Sequence, residues 1–255
     1  MDIKHKPKAI ILDLDGTLLH SDKSVSGRTK KALKKCRKQG IVIAVATARF
    51  WFKAEPFLEE IELDYALLAD GTQIYHKGEM ICGFPMREEQ STGIINELLQ
   101  KENDTGFVAS IGKMLLCSSS GIREPWRHTW NFEGAIKEPV YKIAGILNSR
   151  EEADELAEKY DCRMHAYRGE SLYSFSSKTA GKYQAVLALG ELLGITPEDM
   201  VAFGDDENDY EILKHCGKGI AVANAIPMIK NIADEVTESN DDDGVAAYLE
   251  KYCLS

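Results

Sequence analysis

The chain has 255 residues, 44% of them hydrophobic and 28% charged, which excludes a disordered chain, a collagen-like repeat and a small disulfide scaffold. A formal net charge of −10, from 31 basic and 41 acidic residues, makes nucleic acid and anionic membranes poor candidate partners. No stretch approaches the ~18 uninterrupted apolar residues of a membrane helix, and Asp13 and Asp15 break the apolar run after Lys4, Lys6 and Lys8 too early for an export signal.

In chain order, residues 9–12 form an apolar run of the kind a strand buried on both faces needs. Ser26 is a candidate cap for a helix through Ala32, Leu33 and Cys36 that stops at Gly40. Residues 41–46 and, after another helix, 65–69 repeat the apolar run. Strands alternating with helices imply βαβ units and a parallel sheet. The pattern changes after Asp70. Residues 72–75 and 79–84 read as a hairpin around Lys77-Gly78. A helix is expected over 87–102, then short strands at 107–111 and 114–118. Residues 121–139 show no clear period. A strand at 141–147, a helix at 149–160 and two strands within 162–176 complete the middle of the chain.

From Gly181 the first pattern returns: a helix at 182–193, a strand at 201–203, a helix at 207–215 and a strand at 220–222. Pro227 suits a helix start, and a last helix covers 245–252. The expected fold class is α/β, a Rossmann-like parallel-sheet core with helices on both faces. Residues 1–82 and 181–255 would build that core, and 83–180 would form an inserted α+β cap. Residues 1–40 carry eleven Lys or Arg against four Asp. That excess reads as a solvated helix face rather than a nucleic-acid surface. The six cysteines form no C-x-x-C pair, which removes support for zinc or dithiol chemistry and suggests reduced thiols in a cytoplasmic protein.

Open parallel sheets bind ligands beyond the carboxyl ends of their strands. Asp13-Leu14-Asp15-Gly16-Thr17 follows the first apolar run, and Thr47-Ala48-Arg49 follows the second. Gly204-Asp205-Asp206-Glu207-Asn208-Asp209 follows a late one. Were these strands neighbours, several carboxylates would share one crevice and require a counter-charge. Oxygen ligands select a hard divalent cation, and a site with few protein carboxylates suits magnesium better than calcium. A calcium-binding hand is disfavoured, because Tyr210 stands where its loop from Asp205 needs glycine.

Asp13-Leu14-Asp15-Gly16-Thr17, Thr47-Ala48-Arg49, Lys182 and Gly204-Asp205-Asp206-Glu207-Asn208-Asp209 occur in the order of four motifs. In that order the chain resembles the haloacid dehalogenase-like phosphatases. The tail, with Gly219 to Ala225 and Asp243-Gly244-Val245, resembles the Cof-type branch, and the long insertion is similar to a type IIB cap. The resemblance implies a Mg2+-dependent phosphatase acting on small phosphorylated metabolites, sugar phosphates first among them, through an aspartyl-phosphate intermediate. Asp13 would be the nucleophile and Asp15 the acid–base. Leu14 and Asp15 N–H groups, Thr47, Ala48, Lys182 and Asn208 would hold phosphate. Asp13, Asp205 and the Asp15 carbonyl would bind the metal, with Asp209 behind them.

Three departures stand out: Ala48 in place of a usual glycine, Tyr183 after the lysine, and Asp70-Gly71-Thr72 in place of Asn-Gly-Ala. In the cap, Arg123, Trp126 and Arg127 combine positive charge with a stacking face and are candidate substrate contacts. Two other readings share the scaffold: a phosphomutase that returns the phosphoryl group to a sugar, and a non-catalytic binding or regulatory protein. The sequence leaves the oligomeric state and the physiological substrate open.

Overall fold

A computed structural model describes residues 6–100, 106–118, 127–129, 136–167 and 169–254. Its strands fall into two sheets, and the first carries the carboxylate loops. In chain order the strands of that sheet are β1 (Ala9–Leu12), β2 (Val42–Ala46), β3 (Tyr65–Leu68), β4 (Gln73–His76), β5 (Glu79–Gly83), β12 (Met200–Gly204), β13 (Lys218–Ala221) and β14 (Glu235–Val236). Side by side they run β14-β13-β12-β1-β2-β3-β4-β5. The six strands from β14 to β3 are parallel, and β4 and β5 continue the sheet antiparallel.

Burial on both faces explains why β1, β2 and β12 read as continuous apolar runs. Ile10 and Leu12 point to one layer, with Leu33 and Leu249, and Ile11 and Ala44 point to the other, with Val186 and Leu189. Helices α1 (Gly27–Lys38) and α8 (Gly244–Tyr252) cover the first face. Helices α5 (Lys182–Leu193), α6 (Tyr210–His215) and α7 (Pro227–Ile232) cover the second. The predicted cap of α1 forms: Ser26 Oγ accepts the Thr29 N–H at 3.0 Å. Helix α2 (Trp51–Ile61) connects β2 to β3.

The second sheet is drawn from the middle of the chain. It comprises β6 (Phe107–Ile111), β7 (Met114–Cys117), β8 (Arg127–Thr129), β9 (Lys142–Ile146), β10 (Cys162–Ala166) and β11 (Leu172–Ser177). These strands lie in the order β10-β11-β9-β6-β7-β8. Helices α3 (Glu88–Leu99) and α4 (Arg150–Lys159) pack their apolar residues on one face of it. The other face turns toward the carboxyl ends of the first sheet.

One expectation needs correction, and one strand was not expected. The helix expected over 207–215 begins as a 3-10 turn at Glu207–Asp209 and becomes α-helical only from Tyr210. Asp206 caps that turn, and Asp209 folds back to accept the Asp205 N–H. The two-residue strand β14 was too short to leave a periodic signal. Arg123 and Trp126 lie outside the described residues, and Arg127 opens the edge strand β8. Among the described residues no helix is long and apolar enough to cross a membrane, and the six cysteines form no disulfide.

Candidate active site

The loop after β1 begins under restraint. Asp13 N–H donates to the Phe203 carbonyl on β12 at 3.1 Å, so Asp13 leaves the sheet beside the end of that strand. The Leu14 carbonyl then accepts from the N–H groups of Leu18 and Leu19 at 3.1 and 2.9 Å. The Leu14 side chain is fully buried, so only its backbone can serve a ligand. Gly16 has φ +83°, and a Cβ there would sit 2.6 Å from Asp205 Oδ2. Glycine is needed both for that conformation and for that approach. The turn sends Asp13 and Asp15 apart.

Asp13 faces Lys182, the first residue of α5. Lys182 Nζ donates to Asp13 Oδ1 and Asp209 Oδ1, each at 2.7 Å, and all three residues are buried. Asp209 spends its other oxygen on the N–H groups of Asp205 and Asp206, at 3.0 and 3.3 Å. Thr17 Oγ1 donates to Asp205 Oδ1 at 2.8 Å. Oxygen atoms of Asp13, Asp205 and Asp209 lie within 4.8 Å of one another. Burial pushes the Asp13 carboxyl well above its ordinary range, opposed by Lys182 and reinforced by Asp209 and Asp205. Burial and the Asp209 charge push Asp205 up to about 7.

A buried, all-oxygen, mutually repelling carboxylate group suits a hard divalent cation, because positive charge removes the penalty that burial imposes. Asp13 and Asp205 are the residues able to hold it. Asp209 is within reach, but both of its oxygens already hold Lys182 and the 205–206 backbone.

Asp15 turns the other way. Arg49 grips it with a two-pronged fork, Nε to Oδ2 at 2.5 Å and Nη2 to Oδ1 at 2.6 Å. Lys23 Nζ adds a third contact at 2.8 Å. Burial alone would raise the Asp15 carboxyl, but the hydrogen bonds from Arg49 and Lys23 outweigh it and the net shift is downward. The Asp15 carboxylate is therefore apart from the other three, which leaves only its backbone carbonyl for a metal.

These groups open into one cavity of about 700 Å³. Asp13, Asp15, Thr47, Ala48, Asp205 and Asn208 line it at the carboxyl ends of the strands. Phe107, Leu115, Ala144, Ile146 and Leu172 form the wall from the second sheet. Lys182 is not at the cavity wall but stands behind Asp13. The sequence-predicted residues from three separate stretches thus meet, with the cap candidates Arg123 and Trp126 outside the described residues.

Sequence reasoning missed the Arg49 and Lys23 contacts to Asp15. It also missed Lys142 on β9, which is fully buried and bonded to Asp70. Lys142 had a readable signal: it is the lone charge in the apolar run 140–146, and a buried charge needs a partner.

With the geometry established, relatedness decides the class. A family model for haloacid dehalogenase-like hydrolases matches residues 10–249. The chain belongs to that family. It is 24% identical to the 5-amino-6-(5-phospho-D-ribitylamino)uracil phosphatase YwtE of Bacillus subtilis, covering 96% of this chain and 97% of that one. It is 29% identical to a phosphoglycolate phosphatase of Methanopyrus kandleri, with 95% of each covered. Among solved structures, a haloacid dehalogenase-like hydrolase from Bacteroides thetaiotaomicron is similar at a TM-score of 0.83 and 26% identity, covering 96% and 99% of the two chains. The subclass IIB sugar phosphatase BT4131 shares the fold at a TM-score of 0.79 and 19% identity, covering 97% and 100%. The protein is a phosphatase of the haloacid dehalogenase-like family with a Cof-type sequence.

Proposed function

We propose that this phosphatase hydrolyses small phosphorylated metabolites with Mg2+ and a covalent phospho-Asp13 intermediate. The observation that carries the reading is the meeting of Asp13, Lys182, Asp209 and Asp205 beyond adjacent strand ends, with Asp13 and Asp205 open to a cavity that Asp15, Thr47 and Asn208 also line. Magnesium held by Asp13, Asp205 and the Asp15 carbonyl would supply positive charge to the transferring phosphoryl oxygens.

The chain's own residues then divide the work. Lys182 holds Asp13 Oδ1, which leaves Oδ2 to attack phosphorus. The phosphorus–oxygen ester bond breaks as the new bond to Asp13 forms. Asp15 gives its proton to the leaving oxygen, then takes one from the water that cleaves phospho-Asp13 and releases inorganic phosphate. Thr47 Oγ1, the Ala48 N–H and Asn208 would hold the phosphate oxygens.

Asp15 is not ready for that role while Arg49 and Lys23 hold it as a carboxylate. A dianionic phosphate entering the cavity competes for those two cations, and their departure would let Asp15 take up the proton it later donates.

The size of the cavity suits a metabolite-sized leaving group. Sugar phosphates lead the candidate substrates. The names of the relatives add a phosphorylated ribityl compound and phosphoglycolate. A panel of phosphate monoesters assayed for phosphate release, with and without Mg2+, tests the reading. Mg2+-dependent release is expected. Isomerisation of a sugar phosphate without release would instead indicate a mutase, and inertness across the panel would overturn the proposal.

A further inference from the structure

Lys142 opens β9, a central strand of the second sheet, yet its ammonium reaches two groups of the first, the Ala48 carbonyl and Asp70. Nζ donates to the Ala48 carbonyl at 3.0 Å, to the Tyr167 hydroxyl at 2.6 Å and to Asp70 Oδ2. The rings of Phe50 and Tyr167 flank it at 5.0 and 5.3 Å. A buried ammonium has three protons to place, and this arrangement places all three.

The contact with Ala48 completes a pattern in the Thr47-Ala48-Arg49 loop. The Thr47 carbonyl accepts the Asp70 N–H at 3.0 Å. The Arg49 carbonyl accepts the Ala69 N–H at 2.8 Å. The Ala48 carbonyl, between them, accepts Lys142. Two of these donors belong to the turn after β3, in the same sheet as the loop, and the third comes from the other sheet.

A trans peptide is planar, so a carbonyl and the N–H of the next residue point in opposite directions. Holding the Ala48 carbonyl therefore aims the Arg49 N–H, which donates to Thr47 Oγ1 at 3.2 Å. Holding the Thr47 carbonyl aims the Ala48 N–H away from the turn, and that N–H has no partner among the described residues. The Thr47 hydroxyl and Ala48 N–H are the two groups of this loop assigned to phosphate. Lys142 thus reaches the phosphate end of the cavity through one peptide plane.

We propose that Lys142 is a positioning residue for phosphate binding: it orients the Thr47–Arg49 loop through the Ala48 carbonyl and makes phosphate affinity depend on the seating of the second sheet. The proposal rests on the phosphatase reading and names a residue on which that site depends. A purely structural role is the competing explanation, since Lys142 also neutralises the buried Asp70. The two roles separate experimentally, because the charge pair can be removed as a unit. Asn tolerates the left-handed conformation of Asp70 (φ +60°), so Lys142→Met with Asp70→Asn leaves neither a buried charge nor backbone strain.

The test uses the full chain with Mg2+ and inorganic phosphate as the probe, measured by calorimetry beside thermal melts. Steady-state kinetics on p-nitrophenyl phosphate run in parallel. Lys142→Met is expected to melt lower, to bind phosphate about tenfold more weakly and to raise KM similarly, the loss of one charge-assisted hydrogen bond. In the double variant the melt should recover while phosphate affinity and KM do not. Recovery of phosphate affinity together with the melt, or wild-type affinity in Lys142→Met, overturns the proposal. If Lys142→Met does not fold, the double variant alone decides between the two roles. A wild-type chain that neither binds nor releases phosphate would defeat the phosphatase reading itself. A competent wild type whose variants bind equally well would defeat only the role of Lys142.

Discussion

Lys182 Nζ lies 2.7 Å from Asp13 Oδ1; the lysine is sealed from solvent, and the carboxylate, though buried, lines the cavity. Burial works against the charge of the lysine, but Asp13 and Asp209 more than compensate and hold it protonated. The ammonium is thus a permanent positive charge behind the proposed nucleophile. Asp13→Asn should abolish turnover on p-nitrophenyl phosphate, by roughly 10³-fold or more, while the melting temperature moves by no more than a few degrees. Lys182 keeps Asp209 as partner in that variant, which is why the fold should hold. Phosphate-release assays and a thermal melt on the same preparation check both halves.

Removal of the metal should be reversible and specific. Chelation is expected to silence the enzyme, and added Mg2+ to restore it. Asp205→Asn keeps an oxygen for the Thr17 hydroxyl but removes a charge. The Mg2+ concentration for half-maximal activity should rise by roughly 100-fold or more, since even outer partners of metal ligands are worth about 10–100-fold. The metal-free variant should melt no lower than wild type, because Asp13 and Asp209 lose a repelling neighbour. A Mg2+ titration of activity, with melts in chelator, reads both effects.

Gly71 occupies the turn between β3 and β4 at φ +77°, where an added Cβ would stand 2.3 Å from the Gly181 carbonyl and 2.9 Å from the Lys182 nitrogen. Gly71→Ala therefore meets both a conformational penalty and a backbone clash, together roughly 2–4 kcal/mol. At this chain length the melting temperature should fall by about 5–15 °C. Turnover should fall as well, because the clash pushes on the start of the helix that carries Lys182. Unchanged turnover in a folded Gly71→Ala would show that Lys182 tolerates displacement.

Asp70 gives a pH signature. Burial alone would raise its carboxyl, but Lys142 beside it outweighs burial and brings the carboxyl down to about 2. A carboxyl lowered on folding stabilises the fold above its unfolded value near 3.8 and loses that contribution as pH falls through its folded one. The pair should thus be intact at neutral pH and fail between about pH 4 and 2, at a cost of roughly 2 kcal/mol. Asp70→Asn should lower the urea midpoint at pH 7, because Lys142 loses its anion. It should also flatten the decline of that midpoint between pH 4 and 2. A parallel decline in both proteins would contradict the assignment.

The residues that were legible in advance share a property: their meaning is local. The apolar run of β1 predicts a strand buried on both faces, and Ser26 before a helical stripe predicts its cap. Asp13 and Asp15 announce a loop rich in oxygen ligands at a strand end. The placement of Asp205 beside Asp13 was foreseeable once the strands are taken as neighbours, because parallel strands deliver their carboxyl ends to one edge.

Other features stayed hidden because they depend on distance in space rather than in sequence. Nothing in Arg49 shows that its fork will close on Asp15. That pairing requires β1 and β2 to be neighbours and the Gly16 turn to splay the two aspartates. Lys142 looks like a charge misplaced in a strand until the second sheet is set over the first. The helix expected at 207 starts late because Asp209 is drawn back to Lys182 and the 205–206 backbone.

The sequence by itself determined most of the strands and helices and all three oxygen-bearing loops, because hydrophobic period, capping and glycine conformations act over a few residues. Only the tertiary structure decided which charge answers which. In a buried site, each carboxylate takes its properties from the cations and carboxylates within a few ångströms, and chain topology alone brings those together.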